Sequence, residues 1–365
     1  MKPFRFIYPT ITTLNMLCGL FLIVVSFSDS VSPDQLMFFS FLGLLFPFVF
    51  VIHFCFLIYW LIVRKWTMFF IILCSFFLCW QPIARYFPVH PSQADISGKK
   101  VIKVLTYNVM AFGYKDHSAA KPNPIIQYIA NSDADIVCLQ EYLVGTMPNY
   151  LTQEKVERAL YMYPYHATVP LVRKSRFSIG LAIYSKYPIL NSRKIRYDST
   201  FNGSSIHEFD VNGEKLIVVN NHLESFKLTM EDRTKYSDFF KNMNIESFDD
   251  LKEAVQEKIS TAFLIRAEQA EIIAGEIEKL NGDYVLVCGD FNDTTISYAY
   301  RTVKGLLVDA FAESGNGLGI TYNQNYYWLR IDHILHSPNI QAYNAKVDTI
   351  SISDHYPVWC YVEMK

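Results

Sequence analysis

The chain is short of net charge, of paired cysteines and of internal repeats, and each shortage excludes a class of protein. Its 365 residues hold 33 Lys and Arg against 35 Asp and Glu. From residue 98 onward the balance is 28 against 32, because only five of the basic residues and three of the acidic ones come earlier. A protein that grips many duplex phosphates carries a basic face, so this mildly acidic stretch argues against broad duplex binding. Two local basic clusters, Arg173, Lys174, Arg176 and Arg193, Lys194, Arg196, read as solvated loop charges. Of seven cysteines, Cys18, Cys55, Cys74 and Cys79 lie in apolar runs near the start. Cys138, Cys288 and Cys360 are an odd number inside strand-like apolar stretches. They suit small buried hydrophobes, not a disulfide framework or a zinc site. With no repeat of useful period, solenoids and propellers are also excluded.

What is present is uneven. The apolar excess sits in the first 85 residues, as uncharged runs of 18 (Ile11 to Ser28), 28 (Leu36 to Val63) and 19 (Trp66 to Ala84). A hydrocarbon core takes roughly 20 residues of helix, so residues 1–85 are expected to form a membrane region of three transmembrane helices. The second run exceeds that length and is expected to tilt, or to bend at Pro47. Lys2 and Arg5 precede the first run, the loop Asp29 to Gln35 has no basic residue, and Arg64 and Lys65 separate the second and third. The positive-inside rule then puts the N-terminus in the cytoplasm. Three spans place the rest of the chain on the extracytoplasmic side of an inner or plasma membrane. The first run lacks the small-x-small pattern of a cleaved signal peptide. Residues 86–99, with Pro88, Pro91 and Gly98, read as a semi-extended linker. Residues 100–365 are enough for one α/β domain.

Within that domain, short apolar strands repeatedly end in polar residues. Lys100 to Leu105 leads to Asn108, Asp135 to Leu139 to Gln140 and Glu141, and Leu216 to Val219 to Asn220, Asn221 and His222. Tyr284 to Cys288 leads to Asp290 and Asn292; Asp332 and His333 follow Arg330, and Asp354 and His355 follow Ile350. Side chains two apart on extended backbone share a face, so Asp290 and Asn292 are expected to project into one cleft. Each residue also has an ordinary reading: Asn108 a turn residue, Glu141 a helix N-terminal carboxylate, His222 a structural histidine, Asp354 a turn cap. The ordered set requires all of these to hold at once.

The stretches LTYNVMAF, DIVCLQEY, IGLAIYSKYPI, VVNNHLES, VCGDFNDT, RIDHILHS and SDHYPV, over about residues 100–365, together resemble the endonuclease/exonuclease/phosphatase superfamily of DNase I-like proteins. The apolar N-terminus is similar in pattern to a membrane-anchored bacterial subgroup. The resemblance implies a four-layer α/β/β/α sandwich preceded by the three transmembrane helices. It also implies roles: Glu141 as metal ligand, with Asn108 and Asp354 at or near the metal; Asp290 orienting or deprotonating the attacking water; Asn108, Asn292 and His222 on phosphoryl oxygens; Asp332 polarising His355. Mg²⁺ is the implied cation, with Mn²⁺ the alternative, because a hard cation on carboxylate and amide oxygens neutralises an anionic ester and activates water.

The expectation is a membrane-anchored phosphoesterase acting by metal-activated water. Membrane lipid is its neighbour, and its substrate is a lipid headgroup or small phosphoester ahead of nucleic acid. A non-catalytic receptor on the same scaffold would be expected to have lost one of these side chains. Two parts fall outside the pattern. The stretch Glu224 to Gly282 contains a charged helical segment, Leu251 to Leu280, and a loop with Phe239, Phe240 and Met243 that reads as a connection or an apolar flap. Arg266 and Gln269 lie three apart on that helix, within reach of one neighbour, though a solvated or packing role is expected. His333 points to the strand face opposite Asp332 and is expected to be structural.

Overall fold

The computed structural model describes residues 4–147, 150–227, 246–280, 283–322, 324 and 328–365. Two helices, α1 (Phe4–Ser26) and α2 (Pro33–Val63), are long and apolar enough to cross a membrane. The third apolar run is not one straight span. It forms α3 (Trp66–Leu78) and α4 (Trp80–Tyr86), bent by 71°, which make a third span only if the pair is counted as one. The break has a cause in Pro82. A proline has no N–H to give to the carbonyl four residues back, so the ladder fails next to Cys79, whose backbone leaves helical geometry. In α2, by contrast, helical geometry continues through Pro47, and the irregular residue is Leu36 in its first turns. Lys65 lies 5.8 Å over the ring of Tyr8, so the α2–α3 turn sits beside the start of α1, as the basic-residue pattern suggests.

The remainder folds as β1 (Ile102–Asn108), α5 (Pro124–Asn131), β2 (Ile136–Gly145), α6 (Gln153–Ala159), β3 (Tyr165–Arg173), β4 (Phe177–Ser185), β5 (Ile189–Ile195), β6 (Gly203–Val211), β7 (Glu214–His222), α7 (Glu246–Glu278), β8 (Tyr284–Asp290), α8 (Tyr298–Lys304), β9 (Val308–Asp309), α9 (Ala310–Ser314), β10 (Asp332–His336), β11 (Ile340–Val347) and β12 (Val358–Met364). One sheet runs β11-β12-β1-β2-β4-β3 and the other β5-β6-β7-β8-β10-β9. Each has a parallel pair at its centre, β1 with β2 and β7 with β8. All four of those strands deliver their C-terminal ends to one rim.

Strand alternation builds the layers. On β1, Ile102 and Val104 face the second sheet and pack with Leu216, Val218, Leu286 and Cys288, while Leu105 and Tyr107 face Ile125, Ile126 and Ile129 of α5. Asn123 caps α5 by accepting the N–H of Ile125, and Pro124 occupies the first turn, where its missing N–H has no cost. On the far side, Ala270 and Ile273 of α7 and Val303 of α8 cover Ile217, Val219, Val285 and Val287. The result is the expected helix–sheet–sheet–helix sandwich. Cys138, Cys288 and Cys360 are unpaired and buried in its central layer.

The stretch after Tyr86 is not a free tether. Pro88 accepts the N–H of Gly317 at 2.9 Å, the His90 ring bonds the Gly315 carbonyl at 2.9 Å, and Asn344 brackets Ala94 through both its amide atoms. The expected apolar flap falls mostly outside the described residues, Phe239, Phe240 and Met243 included.

Candidate active site

The rim gathers residues from both sheets. Asn108 ends β1, and its amide N–H₂ bridges Glu141 Oε1 at 3.2 Å and Asp290 Oδ2 at 3.0 Å, while its Oδ1 accepts the N–H of Met110. His222 ends β7, with Nε2 3.8 Å from both Glu141 Oε1 and Asp290 Oδ2. His355 Nε2 lies 3.6 Å from Asp290 Oδ2, and its Nδ1 is 2.8 Å from Asp332 Oδ2. Six of the eight residues singled out in the sequence thus meet within a few ångströms. Glu141 reaches them through a bulge. Between Leu139 and Tyr142 the β2–β4 register slips, and Glu141 takes a left-handed backbone with φ 50°. A bulge re-aims a side chain, and a non-glycine residue there costs about 1 kcal/mol.

Asp354 is the next neighbour. Its carboxylate accepts from Ser353 Oγ at 3.3 Å, and it acts with Glu141 on Tyr114, whose hydroxyl is pushed up by burial and by both carboxylates. Asn292 is placed differently from the sequence expectation. β8 stops at Asp290, and Asn292 adopts φ 51°, so the two do not share a strand face. Instead the Asn292 N–H donates to Asp290 Oδ1 at 2.8 Å, and its side-chain amide donates to the Leu223 carbonyl at 2.9 Å. An asparagine tolerates that backbone, and the turn clamps Asp290 against β7. Gly289 permits the approach. Its φ is 132°, and a Cβ there would lie 2.0 Å from the Asn221 carbonyl.

Burial sets the electrostatics. It lifts the Asp290 carboxyl to about 6, against the pull of His355 and His222 and the Asn108 hydrogen bond. The His355 imidazole is buried, which by itself would lower it, yet Asp332 and Asp290 outweigh burial and hold it well above the usual histidine range. His222 goes the other way, because burial exceeds the attraction of Asp290, and it stays neutral more readily. Asp290, Asp332 and His355 place ligand atoms within 4.8 Å of one another. Asp332 Oδ1 is buried with no hydrogen-bond partner among the described residues. The oxygen-rich set of Glu141, Asp290 and Asn108 suits a hard divalent cation, with Glu141 one-third exposed at the cleft mouth.

Supporting residues escaped the sequence reading. Ser353 Oγ donates to the Asn108 carbonyl at 2.8 Å and accepts the His355 N–H, and Thr321 Oγ1 accepts the N–H groups of Ile331 and Asp332. The Tyr322 ring stands edge-on to His355, centroids 5.1 Å apart. Ser353 is legible in SDH; no local pattern marks Thr321 or Tyr322. Arg266 and Gln269 are buried and converge on Glu224, Arg266 through the carbonyl at 2.7 Å and Gln269 through the N–H at 2.9 Å. Arg266 also pairs with Asp293 at 3.1 Å, next to Asn292. His333 is structural as expected, bonded to the Asp293 carbonyl and packed between Phe291 and Tyr300. Of the basic clusters, Arg193 pairs with Glu276, whereas exposed Arg173, Lys174 and Arg176 line a cleft of about 640 Å³ beyond the end of β2.

Two sheets whose central strand ends carry these acids, amides and histidines define a phosphoester-processing class of site, and comparison with known proteins agrees. Residues 105–355 match the endonuclease/exonuclease/phosphatase family, and the chain belongs to it. Residues 7–86 match a second family, described as a domain of unknown function (DUF8431). No curated protein matches. Among solved structures, a humanized D. rerio TDP2 is 15% identical, covering 72% of this chain and 99% of that one at a TM-score of 0.48. A protein of the same family from Beutenbergia cavernae is 14% identical over 73% and 72% at 0.49, and one from Bacteroides vulgatus is 18% identical over 73% and 100% at 0.47.

Proposed function

We propose that the protein is a membrane-anchored, divalent-metal-dependent phosphoesterase that hydrolyses a phosphodiester or phosphomonoester with water. The observation that carries this reading is the chain of contacts Asp332–His355–Asp290–Asn108–Glu141, assembled from both sheets. A bound Mg²⁺, or Mn²⁺, on Glu141 with Asn108, and with Asp354 nearby, would neutralise the phosphoryl group and acidify water. Asp290, with its raised affinity for a proton, takes one from the attacking water. Asp332 fixes the His355 tautomer, so that Nε2 faces the cleft and holds or delivers a proton at the ester. Neutral His222 and the Asn108 amide offer donors to nonbridging oxygens as charge shifts onto them. No side chain needs to form a covalent bond to phosphorus.

The apolar helices and the mildly acidic charge balance of residues 98–365 favour a lipid headgroup or small phosphoester, with the catalytic domain extracytoplasmic by the distribution of Lys and Arg. A nuclease reading has one specific support, the exposed cations Arg173, Lys174 and Arg176 along the 640 Å³ cleft. Turnover by the full chain in detergent, measured on a sphingomyelin-type lipid, an oligonucleotide and a generic diester, decides between them. Lipid or diester hydrolysis supports the first reading; cleavage of the oligonucleotide alone supports the second.

A further inference from the structure

The amino-terminal helices do more than hold the domain near a membrane. α2 has 31 residues, about 46 Å of helix at 1.5 Å per residue, while a hydrocarbon core of about 30 Å needs about 20 of them. The surplus lies against the catalytic domain. Phe41 packs edge-on to Phe263 of α7 with centroids 5.5 Å apart, and Phe263 in turn meets Phe226 at 5.8 Å. At Gly43 the helix comes so close to the Ile296 carbonyl that an added Cβ would lie 2.2 Å from it. Ile296 is buried in one cluster with Leu22, Val25, Leu42, Phe46, Val49 and Tyr86 of the helical region. Buried Asp29, in the α1–α2 loop, pairs with Arg85 at 2.8 Å and with Arg301 of α8 at 3.3 Å.

Three loops of the catalytic rim therefore rest on this region. Phe226 follows His222 by four residues, Ile296 follows Asn292 by four, and Arg330, two residues before Asp332, donates to the Arg85 carbonyl. A flexible tether would leave the height of the cleft above the bilayer unset. Here an apolar cluster, the Asp29–Arg301 ion pair and the hydrogen bond from Arg330 to the Arg85 carbonyl fix the His222–Asn292–Asp332 edge of the cleft against α2, the α1–α2 loop and α4.

We infer that the substrate is a phosphoester lipid of the bilayer the protein itself spans, taken in cis from the leaflet on the catalytic domain's side, with the helices of residues 7–86 serving as the register that sets the cleft at headgroup height. This rests on the phosphoesterase reading and narrows its substrate.

The test uses the full chain in proteoliposomes containing Mg²⁺ and a mixture of phosphatidylglycerol, phosphatidylethanolamine, a phosphatidylinositol phosphate, sphingomyelin and a polyprenyl diphosphate. Headgroup release is followed by mass spectrometry, with bis(p-nitrophenyl) phosphate and an oligonucleotide as soluble controls. The expected result is lipid hydrolysis in the protein's own vesicles at least tenfold faster than in protein-free vesicles mixed with them. Gly43→Leu, which wedges α2 away from the Ile296 carbonyl, is expected to lower the lipid rate at least tenfold more than it lowers the soluble diester rate. Equal rates in the two vesicle populations overturn the inference, as does diester turnover with no lipid hydrolysed, or an oligonucleotide cleaved in place of lipid. If wild-type protein turns over neither diester nor lipid, the phosphoesterase reading itself falls.

Discussion

His355 Nδ1 lies 2.8 Å from Asp332 Oδ2, and both side chains are buried. That contact decides which nitrogen of the ring faces Asp290. Replacing Asp332 by Asn removes the charge that holds the imidazolium and permits the wrong tautomer. The expected result is a fall in kcat of about 100-fold or more with KM changed little, a loss in the range of general acid–base catalysis. Steady-state kinetics on a soluble diester, with circular dichroism to verify the fold, checks it.

Glu141 combines its proposed ligand role with strained backbone. Glu141→Gly and Glu141→Ala both remove the carboxylate, but only glycine accepts φ 50° freely. Both variants should be inactive, and the glycine variant should be the more stable by about 1 kcal/mol. Thermal unfolding of the pair reads the difference directly.

Gly289 tolerates no side chain. With φ 132° and the Asn221 backbone carbonyl 2.0 Å from a would-be Cβ, Gly289→Ala has to part β7 from β8 beside Asp290. A loss of more than about 2 kcal/mol is expected, together with activity, because strain and overpacking add. Denaturant unfolding measures the first and diester turnover the second.

The buried Arg266–Asp293 pair predicts a double-mutant cycle. Arg266→Met alone leaves a buried carboxylate without its partner and should cost about 3–5 kcal/mol. Adding Asp293→Asn should recover part of that loss. Additive losses in the two single variants would show that the pair is not coupled.

Two buried histidines make folding pH-dependent. Burial holds His207, bonded to Ser192 and Ser205, and His333, also beside Arg330, down at about 4, below the ordinary 6.5. Between pH 6.5 and 4 the unfolded chain therefore binds protons that the folded chain does not. The contribution of these two histidines to stability is fully present above 6.5 and is lost as pH drops through that window, by up to about 3 kcal/mol for each group, partly offset by Asp290, whose raised carboxyl acts in the opposite sense. Denaturant midpoints from pH 4 to 8 should decline on the acid side, and His207→Gln should flatten the slope.

The alternation of apolar strands and polar ends made the sandwich and its rim legible, because period-two patterning and strand-end placement are local properties. Asn108, Glu141, His222, Asp290, Asp332 and His355 converge as their positions implied. Asn292 departs from its expected geometry, because an apolar strand signals extended backbone past Asp290, whereas the chain turns there through a left-handed residue. The bulge that aims Glu141 is likewise invisible without the β4 partner. Arg266 looked solvated on a charged helix because burial of one face depends on Glu224 and Asp293, which are distant in sequence. The docking of α2 was hidden in the same way, since excess length signalled tilt as readily as contact with the domain.

In the proposed mechanism Asp290 and a divalent cation together activate water at this rim. The decisive measurement is turnover of a soluble phosphodiester by the full chain and by Asp290→Asn, each with Mg²⁺ and after chelation. Turnover is expected only for the wild-type protein with metal, with the variant at least about 100-fold slower, as loss of a catalytic base implies. Turnover that persists in chelator, or survives in Asp290→Asn, would contradict it.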